Sequence, residues 1–518
     1  MAQGTPVEKD DEGRSGVLSM RAKATIFGAA FLSCMVLIAS WSLPHLVSAL
    51  QDLGLGGDDG EGDNDPTDTR YEPVLVWSKA YTTGCPGFIA KRDDGTYCIT
   101  GEKCRQLVSP KDPKAMFKDW DIYAARIDSD GNLTWDRTLG RQTFAPNQTQ
   151  QWIQEWMIWE GPRDVVSVGD GYLILAWGYD GFSEAPWNQQ LNSYLYKIDT
   201  NGQEVWRKVY GGDLWENPVE LLECKDGGFL IAGNSFTVKN SWEKMESMWY
   251  SGVEYTDVFM LKTDRNGEAV WWKIYDTGGT NWIGRRSSKY TVAYNMFIQG
   301  VGIEQGSSCI VPGTEGGYIV AGSTSPFYLM KPSETANIYV FAIDEHGDKR
   351  WEKEYPGSDY YAATCIVQST DGGYIIAGER MTPGPVIEIP EGVHRGEQYL
   401  EPGETYTYVM KIDREGNQIW NRTLWLGGMT NDLAPTHNGG CIGISSKAVF
   451  ELDSDGDFIW DWICPDIDGK PGALSSITPC GERDFLALGW KVDEGAVGAC
   501  GTSLYAFKIT PGDTGNGN

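Results

Sequence analysis

Three observations in the chain predict an all-β fold: a seven-bladed β-propeller, closed by an N-terminal strand and preceded by one transmembrane (signal-anchor) helix. The stretch DGGYIIAG at Asp371 has six relatives: EGGYIVAG at Glu315, DGGFLIAG at Asp226, DGYLILAWG at Asp170, DGTYCITG at Asp94, and the weaker NGGCIGIS at Asn438 and RDFLALGW at Arg483. The stretch IDREGNQIW at Ile412 recurs in related form from Ile127, Ile198, Lys262, Ile343 and Leu452. Six copies end in Trp135, Trp206, Trp271, Trp351, Trp420 and Trp460, and one more tryptophan, Trp77, stands alone ahead of the first repeat. Repetition at this spacing signals a repeat architecture and overrides the prior of about three domains that length alone suggests.

The elements follow in chain order. Residues 1–23 read as a cytoplasmic tail with Arg14, Arg21 and Lys23 near its end. From Ala24 to Leu50 there is no Asp, Glu, Lys or Arg, and the run is long enough to cross about 30 Å of hydrocarbon as a helix. Basic residues before it and DDGEGDNDPTD after it place the remainder outside the cytoplasm by the positive-inside rule. A signal peptide cleaved after Val47-Ser48-Ala49 is the competing reading, and it too exports the rest. Residues 51–70 are Gly- and Asp-rich and form an acidic linker that cannot build a core. Residues 71–510 carry the propeller, and 511–518 form a polar disordered tail.

Each repeat reads as four short strands. In residues 361–427 these are ATCIVQST, then YIIAG after a DGG turn, YTYVMKID after a longer connection, and QIWNRTLWLG after a REGN turn. β-Branched and aromatic residues fill the strands, while Gly with Asp or Asn marks the turns. Four antiparallel strands repeated seven times describe a propeller, with six or eight blades as the competing counts. The seventh repeat stops at FKITPG without a Trp strand, and VLVWSKAY around Trp77 supplies the missing one from the other end of the chain. One large aromatic per blade at a fixed outer position is the expected packing between sheets, so all seven tryptophans are assigned to scaffold.

On these two stretches the chain resembles the pyrroloquinoline-quinone-like propeller superfamily, and within it the propeller repeats common in prokaryotic, archaeal-type cell-surface proteins. The resemblance spans roughly residues 71–510. It implies the fold and a tryptophan that docks between blades. The step from Asp413 to Gly416 is one residue shorter than in quinoprotein repeats, and no vicinal Cys pair is present, so no quinone-site residue carries over and no cofactor is expected.

Composition narrows the function classes. A formal net charge of -29 and a pI near 4.5 argue against a nucleic-acid partner. Outside the apolar segment stand ten cysteines, Cys85, Cys98, Cys104, Cys224, Cys309, Cys365, Cys441, Cys464, Cys480 and Cys500, an even number that allows full disulfide pairing after export. None forms a CxxC. Asn132, Asn147 and Asn421 begin Asn-X-Thr sequons and are candidate glycosylation sites.

Two site classes follow from the repeats. Acidic residues at alternate positions suit calcium at Asp128 and Asp130, or at Asp453, Asp455 and Asp457, but the other four copies lack them, so a plain turn is the stronger reading. If the DGG and IDxxGN turns share one end of every blade, the long segments 102–120, 141–163, 179–192, 234–256, 277–307, 323–337 and 379–405 all decorate the other end. Loops on a rigid scaffold carry binding function. Here they hold Trp152, Trp156, Trp159, Trp187, Trp215, Trp242, Trp249 and Trp282, flat aromatic faces suited to a glycan, peptide or cationic ligand, or to packing within the insertions. Glu155, Glu160, Glu184, Glu243 and Glu246 offer carboxylates for a glycosidase, though no spacing picks a pair, and no GxSxG, HExxH or GxxxxGK[ST] motif occurs. The expectation is a single-pass cell-membrane protein, non-catalytic, binding an extracellular glycan, peptide or protein. An exported carbohydrate-active enzyme and a structural envelope protein are the alternatives.

Overall fold

The computed structural model describes residues 73–83, 86–108, 116–140, 160–180, 190–211, 215–236, 256–275, 282–283, 309–324, 336–388, 398–426, 428–446, 448–464, 472–481, 483–492 and 502–511. The chain begins with β1 (Val74–Thr83). Blade 1 follows with β2 (Pro86–Lys91), β3 (Tyr97–Val108), β4 (Met116–Ile127) and β5 (Leu133–Leu139), and blade 2 with β6 (Glu160–Val168), β7 (Gly171–Asp180), β8 (Gln190–Asp199) and β9 (Glu204–Tyr210). Blade 3 comprises β10 (Trp215–Glu223), β11 (Phe229–Phe236), β12 (Thr256–Thr263) and β13 (Ala269–Tyr275). In blade 4 the first strand is split into β14 (Trp282–Ile283) and β15 (Ile310–Pro312), both paired with β16 (Tyr318–Ser323), before β17 (Ile338–Ile343) and β18 (Lys349–Tyr355). Blade 5 has β19 (Tyr360–Gln368), β20 (Tyr374–Glu388), β21 (Gln398–Ile412) and β22 (Gln418–Leu424); blade 6 has β23 (Thr430–Pro435), β24 (Cys441–Ser445), β25 (Ala448–Leu452) and β26 (Phe458–Ile463). Blade 7 is β27 (Gly472–Pro479), β28 (Phe485–Val492) and β29 (Thr502–Thr510), with β1 as its fourth strand, paired antiparallel to β29 from Val74↔Thr510 to Thr83↔Ser503.

The first strand of each blade lies against the first strand of the next, and β27 lies against β2, so seven inner strands ring one axis. Both faces of each sheet are therefore covered, which explains why the second strands read as apolar runs rather than alternating ones. In blade 5, Tyr374, Ile376 and Met410 pack on Val311, Ile319 and Val340 of blade 4, while Ile375, Ala377 and Val409 pack on Leu433, Cys441 and Phe450 of blade 6. Each fully buried side chain of this size contributes about 1.5–3 kcal/mol.

Several expectations change. Residues 102–120 and 379–405 are largely strand: β3 and β4 pair from Tyr97↔Ile127 out to Val108↔Met116, and β20 and β21 from Tyr374↔Ile412 out to Glu388↔Gln398. The Pro, Gly and Glu content of the second segment suggests a loop, yet a two-stranded arm tolerates Pro383, opposite Pro402, and Pro385 where its register shifts. Full cysteine pairing is also overturned. Cys98, Cys224, Cys309, Cys365, Cys441 and Cys480 are free thiols; the first five are buried, filling small apolar positions of the repeat, as Cys98 and Cys441 do early in second strands. Cys85, Cys500 and the Cys104 side chain lie outside the described residues, as do the apolar segment 24–50, the linker and the C-terminal tail. Among the described residues no helix is long and apolar enough to cross a membrane.

Candidate functional site

The two ends of the ring are built differently. At one end every blade closes on tight turns. The aspartate of each IDxxG copy accepts the backbone N–H groups of the residues two and four further on, at 2.7–3.0 Å in the case of Asp413 with Glu415 and Asn417. Asp128 and Asp453, candidates in the weaker calcium reading, do the same and close their own turns. Among the described residues no three His, Cys, Asp or Glu side chains group as metal ligands.

The glycine of this turn receives the tryptophan of the preceding blade. A Cβ on Gly416 would sit 2.9 Å from the Trp351 ring, and the pairing recurs for Trp77 with Gly131, Trp135 with Gly202, Trp206 with Gly267, Trp271 with Gly347 and Trp420 with Gly456. Two residues beyond the tryptophan a cation covers its ring, Lys79, Arg137, Lys273, Lys353 and Arg422 at 5.5–5.9 Å, and bonds the same turn. Four residues beyond it, the hydroxyls of Tyr81, Tyr210, Tyr275 and Tyr355 donate to the glycine carbonyl at 2.6–2.9 Å. The docking unit is thus W-x-[KR]-x-[YL] on D-x-x-G, of which only the tryptophan and the turn were legible in advance. Trp460 is the exception. In blade 7 the third and fourth strands, β29 and β1, are not consecutive in the chain, so no hairpin turn joins them, and the Trp460 indole donates to Glu451, at 2.6 Å.

Around the axis the inner strands share a one-residue bulge, seen at Pro162/Asp164, Pro218/Glu220, Ala363/Cys365, Thr430/Asp432 and Leu474/Ser476. An inner strand has no neighbour in its own sheet on the axial side, so its backbone groups need other partners. They come from the preceding blade. Asp164 accepts the Leu221 N–H at 2.8 Å, Glu220 the N–H groups of Cys309 and Ile310, and Asp432 the Ile477 N–H at 2.9 Å and the Ser476 hydroxyl at 3.0 Å. The bulge residues themselves donate across the same seams, Thr364 to the Thr430 carbonyl, Asn431 to that of Leu474 and Ser475 to that of Gly87. Asp164 and Asp432 are partly exposed but crowded by protein. That desolvation pushes Asp164 up to about 7, against the pull of its N–H donors and with some repulsion from Asp432, and pushes Asp432 up to about 6. Sequence reading passed over these carboxylates; the available signal was an acid placed ahead of an apolar pair in an inner strand. Burial likewise raises the Cys441 thiol to about 12 and Cys480 to about 11, which removes both as nucleophiles near neutral pH.

At the opposite end the second strand of each blade gives way to the third, and the fourth to the first strand of the next blade. Polar side chains are buried on this side of the blades: Glu102, Asp121, Glu379 and Thr407 within the long strands β3, β4, β20 and β21, Asn192 near the start of β8, and Asn337 just ahead of β17. Of the expected ligand-binding tryptophans, Trp152, Trp156, Trp159, Trp187, Trp242 and Trp249 lie outside the described residues. Trp282 opens β14 and Trp215 opens β10, with their side chains outside the description. Of the candidate acids, Glu155, Glu184, Glu243 and Glu246 lie outside, and Glu160 opens β6. Asn132 sits in a turn, its amide bonded to Asp128 at 2.9 Å; Asn421 is exposed on outer strand β22; Asn147 lies outside the described residues.

Strand order and the closed inner ring define the class: a seven-bladed β-propeller. No family model matches the chain, and no curated protein matches it in sequence. Among solved structures it is similar to a catalytically inactive virginiamycin B lyase from Staphylococcus aureus with quinupristin, at 12% identity over 85% of this chain and 99% of that one with a TM-score of 0.41. A protein of unknown function from Dyadobacter fermentans aligns at 9% identity over 85% and 99%, TM-score 0.40. The PQQ-bound aldose sugar dehydrogenase from Streptomyces coelicolor aligns at 9% over 85% and 98%, TM-score 0.33. These likenesses carry no argument about the site or activity of this chain.

Proposed function

We propose that the protein is a membrane-anchored, extracellular, non-catalytic propeller that binds a glycan, peptide or protein partner through the end carrying the long connections. One observation carries this reading: the two ends of the ring are unequal. The turn end is occupied by repeated docking contacts, while the other end gathers the long connections, their surplus tryptophans and the buried polar groups beneath them. The chain enters β1 at Val74, beside Thr510, at the turn end. In the same reading β1 is the clasp that closes the ring. Asp164 and Asp432 are the carboxylates in which an enzyme reading would vest, but backbone donors from two strands already hold both.

The test is an array of glycans and peptides probed with the full chain and with a variant changing Trp152, Trp156 and Trp159 to Ala. Saturable binding that the variant loses is the expected result. Binding indifferent to the change would remove this cluster, and turnover of a bound glycan would replace the non-catalytic reading.

A further inference from the structure

At the loop end of blade 5, beside the root of the β20–β21 arm, stands a tryptophan that the repeat does not require. Trp425 follows the docking Trp420 by five residues and stands just past the end of β22 at Leu424. It is 71% exposed, more than any other large apolar side chain among the described residues. Its ring is braced edge-on by Tyr406, with centroids 5.0 Å apart and planes at 69°. The Tyr406 hydroxyl donates to Glu404 at 2.6 Å. Arg380 lies over the Tyr406 ring at 5.7 Å, with its Nε donating to Asp359 at 2.6 Å and Nη1 to Thr423 at 3.3 Å. Tyr361, Arg380 and Tyr406 are cross-strand partners in one row, so the cluster rests on three paired strands.

We infer that this cluster is a carbohydrate-binding subsite, with Trp425 as the stacking platform for one sugar ring of a neutral oligosaccharide and Arg380, Asp359 and Glu404 as its polar rim. The inference rests on the loop-end reading above but names a different tryptophan. The chemistry selects the ligand in three ways. A large flat ring left in water next to both donors and acceptors matches a pyranose, which offers an apolar C–H face and a hydroxyl edge. The guanidinium uses three of its five N–H groups internally, and the two carboxylates keep lone pairs beyond those bonds, so the rim can still donate and accept. A cationic ligand fits poorly, because Arg380 already occupies the Tyr406 face where a cation would sit. Mutual bonding of the rim groups also fixes them before a ligand arrives, which lowers the entropic cost of binding.

The experiment titrates the full chain with hexamers of glucose, mannose and N-acetylglucosamine, and with tetramethylammonium, by calorimetry. At least one hexamer is expected to saturate, Trp425→Ala to weaken it about tenfold or more, and Trp425→Phe to retain part of the affinity. Thermal unfolding of Trp425→Ala should match the parent, since the side chain is exposed, which separates lost binding from lost folding. The inference is overturned if no hexamer saturates, if Trp425→Ala binds as the parent does, or if tetramethylammonium is the ligand that depends on Trp425. Binding lost only in the Trp152, Trp156 and Trp159 variant would leave the proposed function standing and remove this subsite.

Discussion

Gly416 and Gly95 share a left-handed backbone, with φ of 80° and 77°, but not a neighbour. A Cβ on Gly95 meets nothing within 4 Å, whereas on Gly416 it meets Trp351. Gly95→Ala is therefore expected to cost about 1 kcal/mol from backbone strain alone. Gly416→Ala should cost about 2–4 kcal/mol, because the ring must also move from its dock. Chemical denaturation of the two variants measures the difference, and equal losses would mean that the tryptophan contact contributes nothing. At this scale the sequence was only partly legible. The tryptophans announce themselves because the same residue recurs at the same place. Their partners do not, because Lys alternates with Arg and Tyr with Leu on an outer strand that otherwise reads as ordinary polar–apolar alternation. Trp425 was hidden for a related reason: it follows a repeated tryptophan so closely that it reads as part of the same strand.

Among the elements, the inner strands carry the feature most open to titration. In the folded ring the Asp164 carboxyl is raised to about 7, against about 4 in an unfolded chain. The folded state then keeps a proton that the unfolded chain releases. Its stabilising contribution is complete below about pH 4 and is lost as pH rises through about 7; Asp432 acts in the same sense up to about 6. The urea midpoint should accordingly fall between about pH 4 and pH 7, and fall less in Asp164→Asn, which stays neutral throughout. Parallel pH profiles for parent and variant would refute a protonated Asp164. The bulge that places this carboxylate was not legible, since one extra residue in an edge strand leaves no compositional mark. Nor was the β20–β21 arm, whose prolines stand for a loop in most contexts and here sit where the register shifts, with Pro383 opposite Pro402.

For the whole molecule, the displaced Trp77 told more than any single repeat. It predicted that an N-terminal strand would join the last sheet, and β1 pairs with β29 along its length. Removing residues 73–83 leaves β29 an unpaired edge, so the shortened chain should unfold at lower temperature and self-associate. Adding a peptide of those residues should reverse both effects in light scattering and thermal melts. A truncated chain that melts like the parent would show that β1 is dispensable for closure. What lay beyond sequence at this scale was the inequality of the inner seams: which blades hold their neighbours by carboxylate, by hydroxyl or by amide depends on side chains brought together only by the closed ring.

The antiparallel meeting of β1 and β29 also sets how the molecule answers to force. Val74 and Thr510 are partners at the same end of the pair, where the chain enters and leaves. Tension between the two ends of the chain would load the ladder at that first rung and separate it one hydrogen bond at a time, as a zip opens, instead of shearing all the rungs together. The adjoining blade offers little reserve there, because Trp460 has no turn in blade 7 to grip and bonds Glu451 within its own sheet. Pulled by its ends, the ring should part first at its clasp, at low force, with six covalently continuous blades still folded behind it.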